Sequence, residues 1–365
     1  MKREIPKRSM VWGGLCLLLS ILLPGTVAAE QLMTIHVGYG DKAVSPYMAT
    51  MIVAKYLHYD QENGFNADVL PVGSNAAVLS GIATGRLQVG SGIPAFLIAI
   101  AAKGDPLPCV SYFQTNYPPR WILGVKPDSA VHSYADLKGD RVGVTNFGVQ
   151  GYSVAQELFQ RAGIDPQKDI SWLSVGEGVS AGLALDRGAV SALVYDGMGF
   201  GQIEAAGIKV RMIPQPANSP AIGGVFRCSS PEFIRDHRKI AIGIGQAELK
   251  AEVFITENPE AAAYIFAKTF PEAVPQGKSL KEQIAAVLLP VNALIHNFYP
   301  PKGSGVAMGA VWEKEWQDEI EFRRLQNKLK DPSIFYTTSL TKEIRNFDVE
   351  KVKEQARNFK VPAHN

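Results

Sequence analysis

The sequence predicts an α/β fold: a βα unit interrupted by a second βα unit, then resumed and followed by a helical C-terminal tail. Three observations predict it. Short apolar runs alternate with amphipathic stretches through residues 34–213, with Gly-, Ser- and Asn-containing turns between them, the rhythm of strands with covering helices. The rhythm restarts after Pro118-Pro119, a pair that cannot lie inside a central strand. Beyond Pro231 the apolar positions recur mostly with helical period.

Each element has its own signal. Residues 34–39 form a strand, and Ser45 with Pro46 opens a helix to about His58, because proline costs nothing at a first helical position. Residues 65–72 are a strand, Gly73-Ser-Asn75 a turn, and 76–84 a helix stopped by Gly85. A short strand 87–90, a turn at Ser91-Gly-Ile-Pro94, a helix to Lys103 and a strand 106–112 complete the first run. The second run holds strands at 121–125, 141–145, 170–175, 191–195 and 210–213. Between them lie a capped turn from Ser133 to Gly139 and helices 153–162, 179–187 and one ending at Ala206. Residues 221–227 read as a strand returning to the first unit, and helices follow at 231–257, 259–270, 280–297, 311–329 and 341–357. The expected organisation is residues 1–29 as a leader, 30–120 with 217–365 as domain 1, and 121–216 as domain 2. Crossings near 117–122 and 216–222 form a hinge, and the resulting cleft can close on a ligand.

The first thirty residues indicate where the chain works. Lys2 to Arg8 is basic, about 14 apolar residues follow from Met10, and Gly25-Thr-Val-Ala-Ala29 is small, the order of a secretory signal peptide cut before Glu30. The apolar run is short of the ~20 residues a membrane span requires. The 365 residues carry a net charge of +2, but without the leader's charges the balance is 33 basic against 34 acidic residues. A near-neutral body with no basic block excludes a dedicated nucleic-acid binder. Cys109 and Cys228 are the cysteines beyond the leader, either bridged or buried as small hydrophobes, and neither has the spacing of a metal site.

Several motifs in this order carry a resemblance: Val37-Gly-Tyr39; Gly73-Ser-Asn75 with Leu79-Ser-Gly-Ile-Ala-Thr-Gly-Arg-Leu-Gln-Val-Gly90; Tyr134-Ala-Asp-Leu-Lys-Gly-Asp-Arg-Val-Gly-Val144; Leu183-Ala-Leu-Asp-Arg-Gly188 with Leu193-Val-Tyr-Asp196; and Tyr336-Thr-Thr338 to Asn346-Phe-Asp-Val349. The chain resembles the periplasmic solute-binding proteins of ABC importers, within the nitrate/sulfonate/taurine family that also binds thiamine pyrimidine precursors. Gln88 departs from that pattern, standing where relatives often carry an acid. The resemblance implies a type II periplasmic-binding-protein fold and a monomer that captures a small solute for a permease in the inner membrane. It leaves room for a ligand-sensing role through a receptor and for a pyrimidine-synthesising enzyme on the same fold.

Helix N-termini carry about half a positive charge and free N–H groups, so turns converging on a cleft favour anions. Asn146, Phe147, Gly148, Gln150, Gly151 and Tyr152 form one candidate turn: its glycines let backbone approach a ligand, and Asn146 and Gln150 supply donors. Ser74 and Asn75 offer the same chemistry from the facing domain, Ser91 more weakly. Tyr39, Phe147, Tyr152 and Trp121 are candidate apolar walls, against the alternative of core positions. Arg120 is either a fork for a sulfonate or carboxylate or a solvated loop residue. Asp196, with Glu177, either holds an amine or caps the next helix. The six histidines lack metal spacing, and no nucleophile elbow, P-loop or clustered Cys/His stretch occurs, so neither catalytic residues nor a cofactor is expected.

Overall fold

The computed structural model describes Met1 and residues 32–217 and 219–362. The expected leader beyond Met1, with its cleavage site, lies outside the described residues. Among the described residues there are ten strands: β1 (Met33–Tyr39), β2 (Phe65–Pro71), β3 (Val89–Gly92), β4 (Val110–Asn116), β5 (Trp121–Val125), β6 (Arg141–Val144), β7 (Ser171–Ser174), β8 (Ala192–Asp196), β9 (Arg211–Ile213) and β10 (Val225–Ser229). They form two five-stranded sheets, ordered β2-β1-β3-β10-β4 and β7-β6-β8-β5-β9. With the helical tail, this is the expected type II periplasmic-binding-protein architecture.

The βα rhythm signals parallel strands, and β1 with β2 and β3, and β6 with β7 and β8, pair that way. In each sheet one strand, β10 or β5, runs against its neighbours. These are the two strands that enter from the other sheet, β5 straight after β4 and β10 after β9. The ends of β1, β4 and β8 point to the junction of the sheets, so a strand arriving through that junction must run away from it.

Some element boundaries also move. β4 begins at Val110 rather than at 106, because Pro106 and Pro108 lack the N–H a ladder needs. Ser91 and Gly92 belong to β3 rather than to a turn. Gln150 opens the helix Gln150–Arg161, three residues before the expected start. The long helix expected at 231–257 breaks at His237, and the last one divides into Thr341–Ile344 and Val349–Asn358. Cys109 and Cys228 are buried and unbridged, and burial first, then Cys109, raises the Cys228 thiol well above its usual range.

Packing follows the alternation of the strands. Ile35 and Val37 of β1 are buried against Ile52 of the helix Ala49–Tyr56 and against Phe254 and Phe266 of the tail. Leu123, Val142, Leu158 and Ile213 fill the second sheet's core. Each large side chain so buried contributes about 1.5–3 kcal/mol. The tail helix Leu280–Ile295 starts at a capping box, Ser279 with Glu282, and lies on the helix Gly197–Ala205 that follows β8. Gly201 makes that contact possible: a Cβ there would stand 3.0 Å from the backbone of Leu289 and Pro290.

One polar network is sealed in the first sheet's core. Arg227 is 2% exposed and grips Glu248 with Nη2 at 2.5 Å and Nε at 2.8 Å. Thr50 donates to the same carboxylate at 2.6 Å. Glu252, one turn further on, has no partner for either oxygen, and burial pushes its carboxyl well above the usual range, with Glu248 adding to the effect. Burial thus favours the neutral form of Glu252, beside the one cation and one carboxylate that pair directly.

Candidate functional site

The site lies where the two sheets' strand ends meet. Asp196 ends β8 and caps the helix Gly197–Ala205, its Oδ1 accepting from the Gly199 amide at 2.8 Å. Its Oδ2 accepts from the Tyr47 hydroxyl at 2.6 Å, and Arg120 Nη2 stands 3.5 Å away. Tyr47 follows Pro46 in the 3-10 turn Pro46–Met48 beside β1, so this bond joins the two sheets. The Arg120 guanidinium packs over both the Tyr47 ring (5.5 Å) and the Trp121 ring (5.1 Å). Burial opposes its charge, but the neighbouring Tyr47 and Asp196 outweigh that and raise its pKa. The Tyr47 hydroxyl is pushed well up, by burial and then by Asp196.

Asp41, just past β1, completes the cluster. Its Oδ1 accepts from Ser45 at 3.2 Å, and burial raises its carboxyl against the pull of Ser45 and Arg120. A cavity of about 20 Å³ beside Arg120 and Asp196 is lined also by Tyr47, Asn116, Met198 and Leu294, room for about one water-sized group on the scale of ~10–15 Å³ per water. The arrangement presents one fixed guanidinium and several helix starts, which suit a negative group, and beside them the Asp41 carboxylate, which suits a donor on the same ligand.

Trp121 opens β5, and its indole Nε1 donates to Gln150 Oε1 at 3.1 Å. Gln150 Nε2 in turn donates to Glu319, at 3.2 and 3.3 Å to its two oxygens. The helix Gln150–Arg161 sits directly on the indole at Gly151, where a Cβ would come within 2.6 Å of the ring. Gly151 thus makes way for the Trp121 indole, a second reason for a glycine at that position. Asn146 turns its Oδ1 to the Gly148 amide at 2.8 Å, and Phe147 is 52% exposed with an edge contact to Tyr152 at 5.1 Å.

The remaining candidates fare unevenly. Ser74 caps the helix Asn75–Ala83 by accepting from Ala77 at 3.1 Å, and the Asn75 side chain lies over the Gly40 backbone. Tyr39 belongs to the sealed network: it is 2% exposed, accepts from Arg227 Nη2 at 3.0 Å and has the guanidinium over its ring. It is a core residue, not a cleft wall. Ser91 lies in β3, paired with Arg227. Glu177 is exposed, while the neighbouring Gly178 amide donates to the Tyr195 hydroxyl at 2.8 Å. Asp196 has both oxygens engaged within the protein, so Asp41 is the carboxylate with an unfilled acceptor there.

Sequence reasoning missed Asp41 and Tyr47, and although it expected a helix at 311–329, it missed the buried carboxylates on the helix Glu313–Phe322. That helix buries Glu315, Asp318 and Glu319. The only signal is their spacing, three and four residues apart, which places them on one face. Among the described residues no group of His, Cys, Asp and Glu is arranged to hold a metal ion, and no helix is long and apolar enough to cross a membrane.

Comparison with known proteins follows the same lines. A family model described as NMT1/THI5 like matches residues 45–262. A curated relative, the 4-amino-5-hydroxymethyl-2-methylpyrimidine phosphate synthase of Legionella pneumophila, is 24% identical over 239 residues, covering 62% of this chain and 71% of that protein. The periplasmic aliphatic sulphonate binding protein SsuA of Escherichia coli superposes with a TM-score of 0.58 at 16% identity, over 84% of this chain and 91% of that one. The periplasmic nitrate-binding protein NrtA of Synechocystis PCC 6803 does so with a TM-score of 0.56 at 14% identity, over 91% and 99%. At such identities the structural likeness establishes the fold alone.

Proposed function

Because the chain belongs to the NMT1/THI5-like family, we propose that it is the extracytoplasmic ligand-capturing component of an ABC importer, exported by its leader. Residues 30–120 with 217–365 form one lobe and 121–216 the other, closing about the crossings near 117–122 and 216–222. The ligand is a small solute with a negative group: sulfonate-, taurine- or nitrate-like, or an aromatic carboxylate. A membrane permease receives it, and the binding protein acts as a monomer without chemistry or cofactor.

The observation that carries this reading is Arg120. A guanidinium clasped between two aromatic rings and one carboxylate is pre-oriented, so little entropy is lost when its remaining N–H groups meet an anion. The structural relatives named above, one sulphonate-binding and one nitrate-binding, support the same ligand class. The expected contacts are Arg120, Asp41, Asn75, Asn146 and Phe147, with Trp121, Gln150 and Asp196 behind them.

The test is isothermal titration of the mature chain with alkanesulfonates, taurine, nitrate and aromatic carboxylates. Binding of one of them, lost in Arg120→Ala, supports the reading, and silence across the panel sinks it. A second reading follows from the Legionella relative, whose name is that of a pyrimidine phosphate synthase. It predicts binding of an aminopyrimidine rather than an acid, or its formation in a turnover assay. Against the synthetic version stand Cys109 and Cys228, both buried in the first lobe's core at the ends of β4 and β10 remote from the junction of the sheets.

A further inference from the structure

The tail helix Glu313–Phe322 spends three buried carboxylates on the crossings and on the second lobe. Glu315 Oε1 accepts from the Gly224 amide at 2.5 Å and Oε2 from Gln114 Nε2 at 2.6 Å. Asp318 accepts from the Ala221 amide at 2.7 Å and is neutralised by Lys314 one turn back. Ala221 and Gly224 flank the return into β10, and Gln114 lies in β4 before the outward crossing, so one helix holds both crossings.

Glu319 is different, because its partner belongs to the other lobe. The helix is anchored in the first lobe, where Trp316 and Ile320 pack with Cys109 and Phe335. Glu319 is fully buried, and Arg323 from its own helix donates to Oε1 at 2.8 Å. Oε2 receives its hydrogen bond from Gln150 of the second lobe. Gln150 also accepts from Trp121, whose ring backs Arg120 in the cleft. A carboxylate sealed from water stays stable only while its donors stay in place.

We infer that Gln150 and Glu319 form a closure latch: the bond assembles when the lobes are together, and it sets how long they remain so without either residue touching the ligand. Glu319 is thus a positioning residue for capture. The inference rests on the two-lobe reading only in that the lobes part.

The experiment needs no ligand. Spin labels at Ser80→Cys and Gln160→Cys, both exposed positions on opposite lobes, report the inter-lobe distance in the full chain carrying Cys16→Ser, where Cys109 and Cys228 are buried. Expected are a dominant short distance in this background and a longer population in Glu319→Ala, with the closed-to-open ratio falling about tenfold. Gln150→Ala, at a half-buried helix start, shifts the same way and keeps the idea testable should Glu319→Ala fold poorly. The double variant opens no further than the worse single one, and Glu319→Gln, which keeps a carbonyl acceptor for Gln150, stays within twofold of the starting ratio. Distance distributions unchanged in Gln150→Ala, or additive effects in the double variant, overturn the latch. The capture reading is then still decided separately, by titration.

Discussion

Tyr47 and Asp196, 149 residues apart in the chain, meet at 2.6 Å where the two sheets adjoin. The bond is charge-assisted and largely screened from solvent, because Asp196 is only 6% exposed. Tyr47→Phe removes the hydroxyl and keeps the ring beside Arg120. It should cost about 1.5–3 kcal/mol, the range for a hydrogen bond to a charged group, read from urea unfolding.

Arg120 is expected to be irreplaceable by lysine. An ammonium cannot lie flat between the Tyr47 and Trp121 rings or offer a planar fork, so Arg120→Lys should lose most of the affinity that Arg120→Ala loses. Titration with whichever acid binds the parent chain checks this, and full retention of affinity in the lysine variant would remove the fork from the account.

Glu315 makes stability depend on pH. Burial lifts its carboxyl to about 8, against the hydrogen bonds from Gly224 and Gln114 and with help from Glu319 and Asp318. The folded chain therefore binds a proton on this group that the unfolded chain releases above its ordinary range near 4.5. The stability it contributes is fully present below that range and is lost as pH rises through about 8, a few kcal/mol at most. Glu315→Gln should flatten this part of the pH–stability profile, measured by denaturant midpoints between pH 5 and 9.

The sealed network separates two adjacent glutamates. Glu248→Gln leaves the Arg227 charge uncompensated and should cost about 3–5 kcal/mol. Glu252→Gln removes a charge that burial already disfavours and keeps the shape, and should stay within about 1 kcal/mol. Chemical denaturation of the two variants side by side decides it, and equal losses would mean that Glu252 is ionised.

Gly151→Ala puts a methyl against the Trp121 indole, and the overpacking should cost about 1–3 kcal/mol and weaken the Gln150 contact with it. Tryptophan emission from the folded state should shift at the same time.

Much of this architecture could be read from the chain. The extents of β2 and β5, the helix after Ser74 and the capped turn at Ser133 all follow from local signals that nothing distant overrides. Strand direction could not be read, because it depends on which sheet a strand enters from. At Tyr39 a strand-end aromatic fits a core or a pocket equally well, and Arg227, 188 residues away, decides between them. Glu315, Asp318 and Glu319 look like an ordinary solvated stripe, and only the passage of the crossings over that helix turns them inward. Asp196 was legible in part: its place at a strand end suggested a cap, and it is one, while Tyr47 takes the oxygen an amine would need.

The seat of Gly201 on Leu289 and Pro290 has a mechanical consequence. Two helices touching backbone to backbone leave no room for a side chain between them, so Gly201 sets how near the helix Gly197–Ala205 lies to the tail helix Leu280–Ile295. A methyl at 201 would act as a wedge there, forcing the two helices apart at a contact that has backbone on both sides.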